Sequence, residues 1–274
     1  MLPNLITIGA QKCGTSALHY YLSFHPEVRM STPKELNFFI KKRNWEQGRE
    51  WYESHFEPDG DESSGVKVHG ESSPNYTTYP HFKGVARRMH EVVPEAKLIY
   101  LVRDPVDRIV SQFMHNWTKR RRSIKRKGIA ATVLEPGTTY VPRSSYWMQL
   151  EKFLKFYPES NVLVLAQNDL RDERVETLEK VFSFLGVEAG FYDKRYDRLR
   201  HQTQKKERKT RVAQVGERLP AAVWSRLEDR VTVTESLERP VVTDRLRDDL
   251  GAALKDDIDR FREWTGRDFA DWSI

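Results

Sequence analysis

Residues 9 to 16 read Gly9-Ala10-Gln11-Lys12-Cys13-Gly14-Thr15-Ser16, placing two glycines, a cation and two hydroxyls close enough together to cradle a phosphate. They follow an apolar run, Leu5 to Ile8, and open a predicted helix from Thr15 to Phe24. Backbone N–H groups and the positive end of a helix dipole should therefore converge on an anion. A triphosphate-hydrolysing loop has the form G-x-x-x-x-G-K-[ST], its lysine reaching the β- and γ-phosphates and its next hydroxyl holding Mg²⁺. Here Thr15 stands where that lysine would be, and Lys12 precedes Gly14 by two residues. The loop suits phosphate but its triphosphate and magnesium fittings are altered, so no metal is expected. A second segment, Arg103-Asp104-Pro105-Val106-Asp107-Arg108-Ile109-Val110-Ser111, again follows an apolar run, Lys97 to Val102. Arg103 offers a planar fork for a phosphate. Ser111, further along the predicted helix, can reach the same group.

Together these two elements resemble the sulfotransferases that use 3′-phosphoadenylyl sulfate (PAPS). Their K-x-G-T-[ST] loop is matched by Lys12, Gly14, Thr15 and Ser16, and their R-D-P-x-x-R-x-x-S element by Arg103 to Ser111. The resemblance implies transfer of a sulfuryl group from PAPS to a hydroxyl or amine, leaving 3′-phosphoadenosine 5′-phosphate (PAP). It assigns Lys12 to the sulfate or bridging oxygen and the loop Cys13, Gly14, Thr15 and Ser16 to the 5′-phosphate. Arg103 and Ser111 fall to the 3′-phosphate. The segment Pro33-Lys34-Glu35-Leu36-Asn37-Phe38-Phe39 resembles the P-K-E-P-H-F-F stretch of the glycan sulfotransferases, whose glutamate is the proposed general base. Glu35 is thus the expected base, assisted by Lys34; a surface ion pair between the two is the competing reading. One departure is plain: the glycan enzymes have a second lysine in E-K-[ST]-P-x-Y, whereas Ser72 fills that position in Gly70-Glu71-Ser72-Ser73-Pro74-Asn75-Tyr76. The acceptor side is therefore not identical, with Glu71, Ser73 and Tyr76 expected to line the pocket. His115 is the alternative base or an acceptor contact. One of Arg200, Lys205 and Arg208 is expected to close over the donor.

These residues need elements that bring them to one place. Apolar runs near Leu5–Ile8, Val66–Val68, Leu98–Val102 and Val162–Leu165 alternate with amphipathic stretches at Tyr79–Val92, Asp107–Trp117, Ser144–Phe156 and Val175–Leu185. That alternation predicts an α/β fold with a P-loop-type central parallel sheet and helices on both faces. Ligands of such sheets bind outside the carboxyl ends of the strands, which puts Lys12, Glu71 and Arg103 on one edge. A last helix is predicted from Thr243 to Trp264, followed by a tail with a packing role. The whole chain, 1–274, is expected to be one domain, carrying a flexible basic insertion at 119–143.

Composition narrows the class further. The 274 residues are 38% hydrophobic and 31% charged, with a net charge of +6 and a single cysteine, Cys13. No apolar run approaches the ~18 residues of a membrane span, so no membrane anchor is expected, and the one thiol fits a reducing compartment. The first strand starts within five residues of Met1, leaving no room for a leader, and a cytoplasmic enzyme is the expectation. Positive charge suits an anionic nucleotide and a small-molecule or glycan acceptor, itself anionic if the run Lys119 to Lys127 steers it. That run lacks interleaved aromatics, which disfavours nucleic acid. Oligomeric state is left open. Two alternatives remain: a P-loop kinase using Asp104 on the magnesium side, and a catalytically silent nucleotide- or polyanion-binding protein.

Overall fold

Five strands form one parallel sheet: β1 (Leu5–Gly9), β2 (Val28–Met30), β3 (Val68–Ser72), β4 (Lys97–Val102) and β5 (Val162–Ala166), in the order β2-β3-β1-β4-β5. The computed structural model describes residues 1–56, 65–119, 123–198, 206–209, 234–237 and 239–274. Every residue of β1 and β3 is buried, as are all but the first of β4. Burial without alternation means that both faces are covered, the signature of a parallel sheet between helices. The expected α/β architecture is the one observed.

Register brings the functional loops to one edge. Thr7 of β1 lies opposite Ser72 of β3, Met30 of β2 opposite Gly70, and Gly9 opposite Tyr100 of β4. The chain therefore leaves β1, β2, β3 and β4 on the same side, carrying residues 10–14, 31–35, 73–77 and 103–104. Gly9 must be glycine, since a Cβ there would stand 2.0 Å from Thr77 Oγ1 and 3.0 Å from the Tyr100 ring.

The helices are α1 (Thr15–Leu22), α2 (Gly48–Ser54), α3 (Val85–Val92), α4 (Pro105–Lys119), α5 (Ser123–Val133), α6 (Tyr140–Ser144), α7 (Tyr146–Leu154), α8 (Gln167–Asp172), α9 (Arg174–Leu185) and α10 (Asp244–Thr265). Several differ from expectation, α2 and α8 among them, where no helix was predicted. The helix predicted from Tyr79 starts only at Val85, because Gly84 sits at φ 69 and the Tyr79 backbone is held from outside. Gln149 accepts from the Tyr79 N–H and donates to its carbonyl, both at 2.8 Å. The stretch 128–143, part of the expected flexible insertion, completes α5 past a kink at Gly128 and forms α6. Tyr140, Arg143 and Ser144 are buried there. A short antiparallel pair, β6 (Lys206–Lys209) and β7 (Thr234–Leu237), was not anticipated. Among the described residues no helix is long and apolar enough to cross a membrane.

Candidate active site

The phosphate loop turns by left-handed backbone. Lys12 has φ 75 and Gly14, the residue before α1, has φ 94. Helix geometry leaves the N–H groups of Thr15 and Ser16 without an intrahelical acceptor, while the next, on Ala17, donates to the Gly14 carbonyl at 2.9 Å. Thr15 is buried while Ser16 is exposed. Cys13 is fully buried, its Sγ 3.8 Å from the Tyr146 hydroxyl. Burial pushes its thiol up, against the opposing pull of Arg108 and Arg103. The thiol is therefore a poor nucleophile, and Cys13 has only its backbone to offer a ligand.

Arg103 leaves β4 beside this loop. Its Nη2 pairs with Asp107 at 2.7 Å and its Nη1 approaches the Lys12 carbonyl at 3.5 Å. Arg239, unremarked in the sequence, pairs with the other oxygen of Asp107. Two guanidiniums thus share one carboxylate, the arrangement expected where a phosphate can replace it. Asp104 caps α4 by accepting the Asp107 N–H at 2.6 Å, and its second oxygen accepts the Ser273 N–H. Ser111 and His115 lie on α4, one turn apart and both partly exposed. Arg108 is the second arginine of the motif. It is fully buried and donates to Ser144 Oγ, Gln112 Oε1 and the Tyr140 carbonyl. Its role is to pin α6 to α4.

Glu35 sits on the loop after β2, at φ 68, with its N–H on the Ser72 carbonyl at 3.1 Å. Its carboxylate meets Lys34 Nζ at 3.0 Å, and the side chains are 43% and 18% exposed, respectively. The two ring residues beyond it anchor the loop: Phe38 stacks on Tyr52 at 4.3 Å and Phe39 packs on Tyr76 at 5.5 Å. His19 of α1, absent from the sequence reading, lies beside this pair with Nδ1 3.0 Å from Ser72 Oγ. Burial and the Lys34 charge hold its imidazole down at about 4. It is neutral near neutral pH.

Three expected pocket residues are placed elsewhere. Glu71 is completely buried and accepts 2.7 Å bonds from the Tyr52 hydroxyl, the Ser73 hydroxyl and the Tyr76 hydroxyl. Burial pushes its carboxyl up and the three donors oppose that. Glu71, Ser73 and Tyr76 form a hub beneath the site rather than its surface, because each polar atom is consumed by the others. The signal was in the sequence only as two tyrosines and a serine whose mutual distance cannot be read from spacing. Lys205, like Arg200, lies outside the described residues, and Arg208 is described only as backbone in β6, opposite Glu235.

A family model described as the sulfotransferase domain matches residues 2–272 of the chain. A membrane-associated sulfotransferase of Dictyostelium discoideum is 40% identical over 124 residues, covering 44% of this chain and 25% of its own length. A human bifunctional heparan sulfate N-deacetylase/N-sulfotransferase is 27% identical over 207 residues, covering 68% of this chain and 22% of its own. The chain spans about a quarter or less of the length of these curated relatives. A solved sulfotransferase structure from Alicyclobacillus acidocaldarius superposes over 100% of both chains with a TM-score of 0.70 at 25% identity.

Proposed function

The chain belongs to the sulfotransferase domain family, and from that premise we propose that it transfers the sulfuryl group of PAPS to a hydroxyl or amine of a carbohydrate, lipid or small-metabolite acceptor. The observation that carries this is the meeting, on one sheet edge, of a left-handed Lys12–Gly14 turn before α1 with the Lys34–Glu35 pair. The donor supplies an activated sulfur that an oxygen or nitrogen can attack while the bridging oxygen leaves. Glu35 takes the acceptor's proton, and its partial exposure leaves it reachable. Lys12 neutralises the charge that grows on the leaving phosphate, an interaction stronger in the transition state than in the ground state. Thr15, Ser16 and the α1 N–H groups hold the 5′-phosphate. Arg103 and Ser111 hold the 3′-phosphate, with Asp107 acting as its stand-in in the free protein. The heparan sulfate named for the human relative supports a glycan acceptor; Ser72, in place of the second lysine, argues that its contacts differ.

The kinase alternative lacks the lysine that would follow Gly14, where Thr15 stands. Calorimetric titration with PAP in EDTA tests the reading. Binding by the wild type, lost in Lys12→Ala and Arg103→Ala, is expected, with Glu35→Gln binding PAP normally but turning over on the order of 10²-fold more slowly. Failure of the folded wild type to bind PAP would refute it.

A further inference from the structure

Arg143 lies in the last turn of α6 and is 8% exposed, yet its hydrogen-bond partners are neutral amides. Nη1 donates to Gln11 Oε1, on the phosphate loop next to Lys12. Nη2 donates to Asn75 Oδ1 at 3.0 Å, and Asn75 Nδ2 passes the connection to Asn37 Oδ1 at 3.0 Å. Asn37 then donates from Nδ2 to the Glu35 carbonyl at 2.6 Å and from its N–H to Ser73 Oγ at 2.9 Å. An unbroken chain of side-chain bonds therefore runs from the donor loop to the backbone of Glu35.

That backbone needs holding. Glu35 at φ 68 and Asn37 at φ 51 both occupy the left-handed region, which residues with a Cβ leave unless their surroundings fix them. A guanidinium suits the task because its planar fork engages two acceptors at once, on segments 132 and 68 residues away in sequence. A lysine would reach one of them. Burial holds Arg143 down at about 9, with the charges of Arg108 and Arg43 acting the same way and Glu35 against it. Arg108, by pinning α6, fixes where the fork stands.

We propose that Arg143 is a positioning residue that couples the two halves of the site, so that filling the donor loop, through Gln11, fixes the loop bearing Glu35. This rests on the donor and base assignments above. The test is amide hydrogen exchange of residues 34–38 with and without PAP, alongside PAP titration and turnover, in wild type, Arg143→Lys and Asn75→Ala. The second variant cuts the same chain on its acceptor side and covers the case in which Arg143→Lys does not fold. PAP should slow exchange across 34–38 in the wild type by about tenfold or more. Both variants should bind PAP within about threefold of wild type, lose that protection, and lose on the order of 10²-fold in kcat with little change in the donor KM. Protection retained in the folded variants would overturn the coupling alone. So would loss of PAP binding in Arg143→Lys, which would make the residue a donor ligand. A wild type that does not bind PAP would instead overturn the donor assignment on which the coupling depends.

Discussion

His19 shows how one half-buried ring keeps a charged site in order. It faces the Lys34–Glu35 pair from α1, and a protonated imidazole there would compete with Lys34 for the same carboxylate. Burial, seconded by Lys34, holds it at about 4 instead of the usual 6.5. The unfolded chain therefore binds the proton more readily than the folded one as pH falls through 6.5. Stability contributed by the neutral ring is fully present above that value, falls as the pH drops, and levels off near 4. The gap corresponds to at most about 3 kcal/mol, reduced by the ring's partial solvent access. His19→Gln should consequently flatten the fall in urea midpoint between about pH 7 and about pH 5. An unchanged slope would show that His19 is not the group responsible. The Lys12–Gly14 turn and the place of Arg103 just past β4 were legible in the sequence because each is set by neighbours a few positions away. His19 and Arg143 were not, since each acquires its role from partners that only the folded chain brings near.

At the scale of elements, helix ends are tied by side chains from distant helices. The first N–H groups of α7, on Trp147 and Met148, donate to Asp257 of α10 at 3.0 and 2.7 Å. Burial pushes the Asp257 carboxyl up to about 6, while these two donors oppose the shift. The bond matters to the site because α7 begins with Tyr146, whose hydroxyl donates to the Arg103 carbonyl at 2.8 Å. Asp257→Ala strands two half-buried donors and should cost about 1–2 kcal/mol in chemical denaturation. Asp257→Asn, which keeps an acceptor, should cost less. An equal loss for both would mean that the charge, not the cap, matters. The parallel sheet was readable from apolar runs, but the start of α3 was not: Pro80 is tolerated by a helix's first turn, and it is the left-handed Gly84 together with the Gln149 clamp on Tyr79 that excludes one. β2 was missed because three residues carry too little pattern to distinguish a strand from a loop.

For the molecule as a whole, the carboxyl-terminal tail joins the last helix to the donor edge. Phe269 and Trp272 stack at 4.2 Å, and Trp272 packs on Tyr146 at 5.6 Å, behind the hydroxyl that holds Arg103. Ser273 donates its N–H to Asp104, the cap of α4, and Arg267 pairs with Asp169 of α8 at 3.0 Å. The expected packing role is thus joined to a site role, because the residues being packed are those that orient the Arg103 loop. Trp272 is nearly buried, so Trp272→Ala should destabilise by roughly 3–5 kcal/mol, an amount typical of removing a large core ring. The same variant, assayed below its melting range, should bind PAP several-fold more weakly through a loosened Tyr146. Trp272→Phe should recover most of both losses. If Trp272→Ala melts early but binds PAP as the wild type does, the tail stabilises the fold without reaching Arg103. If affinity and melting temperature fall together and Trp272→Phe restores them together, the donor edge is held from the far end of the chain.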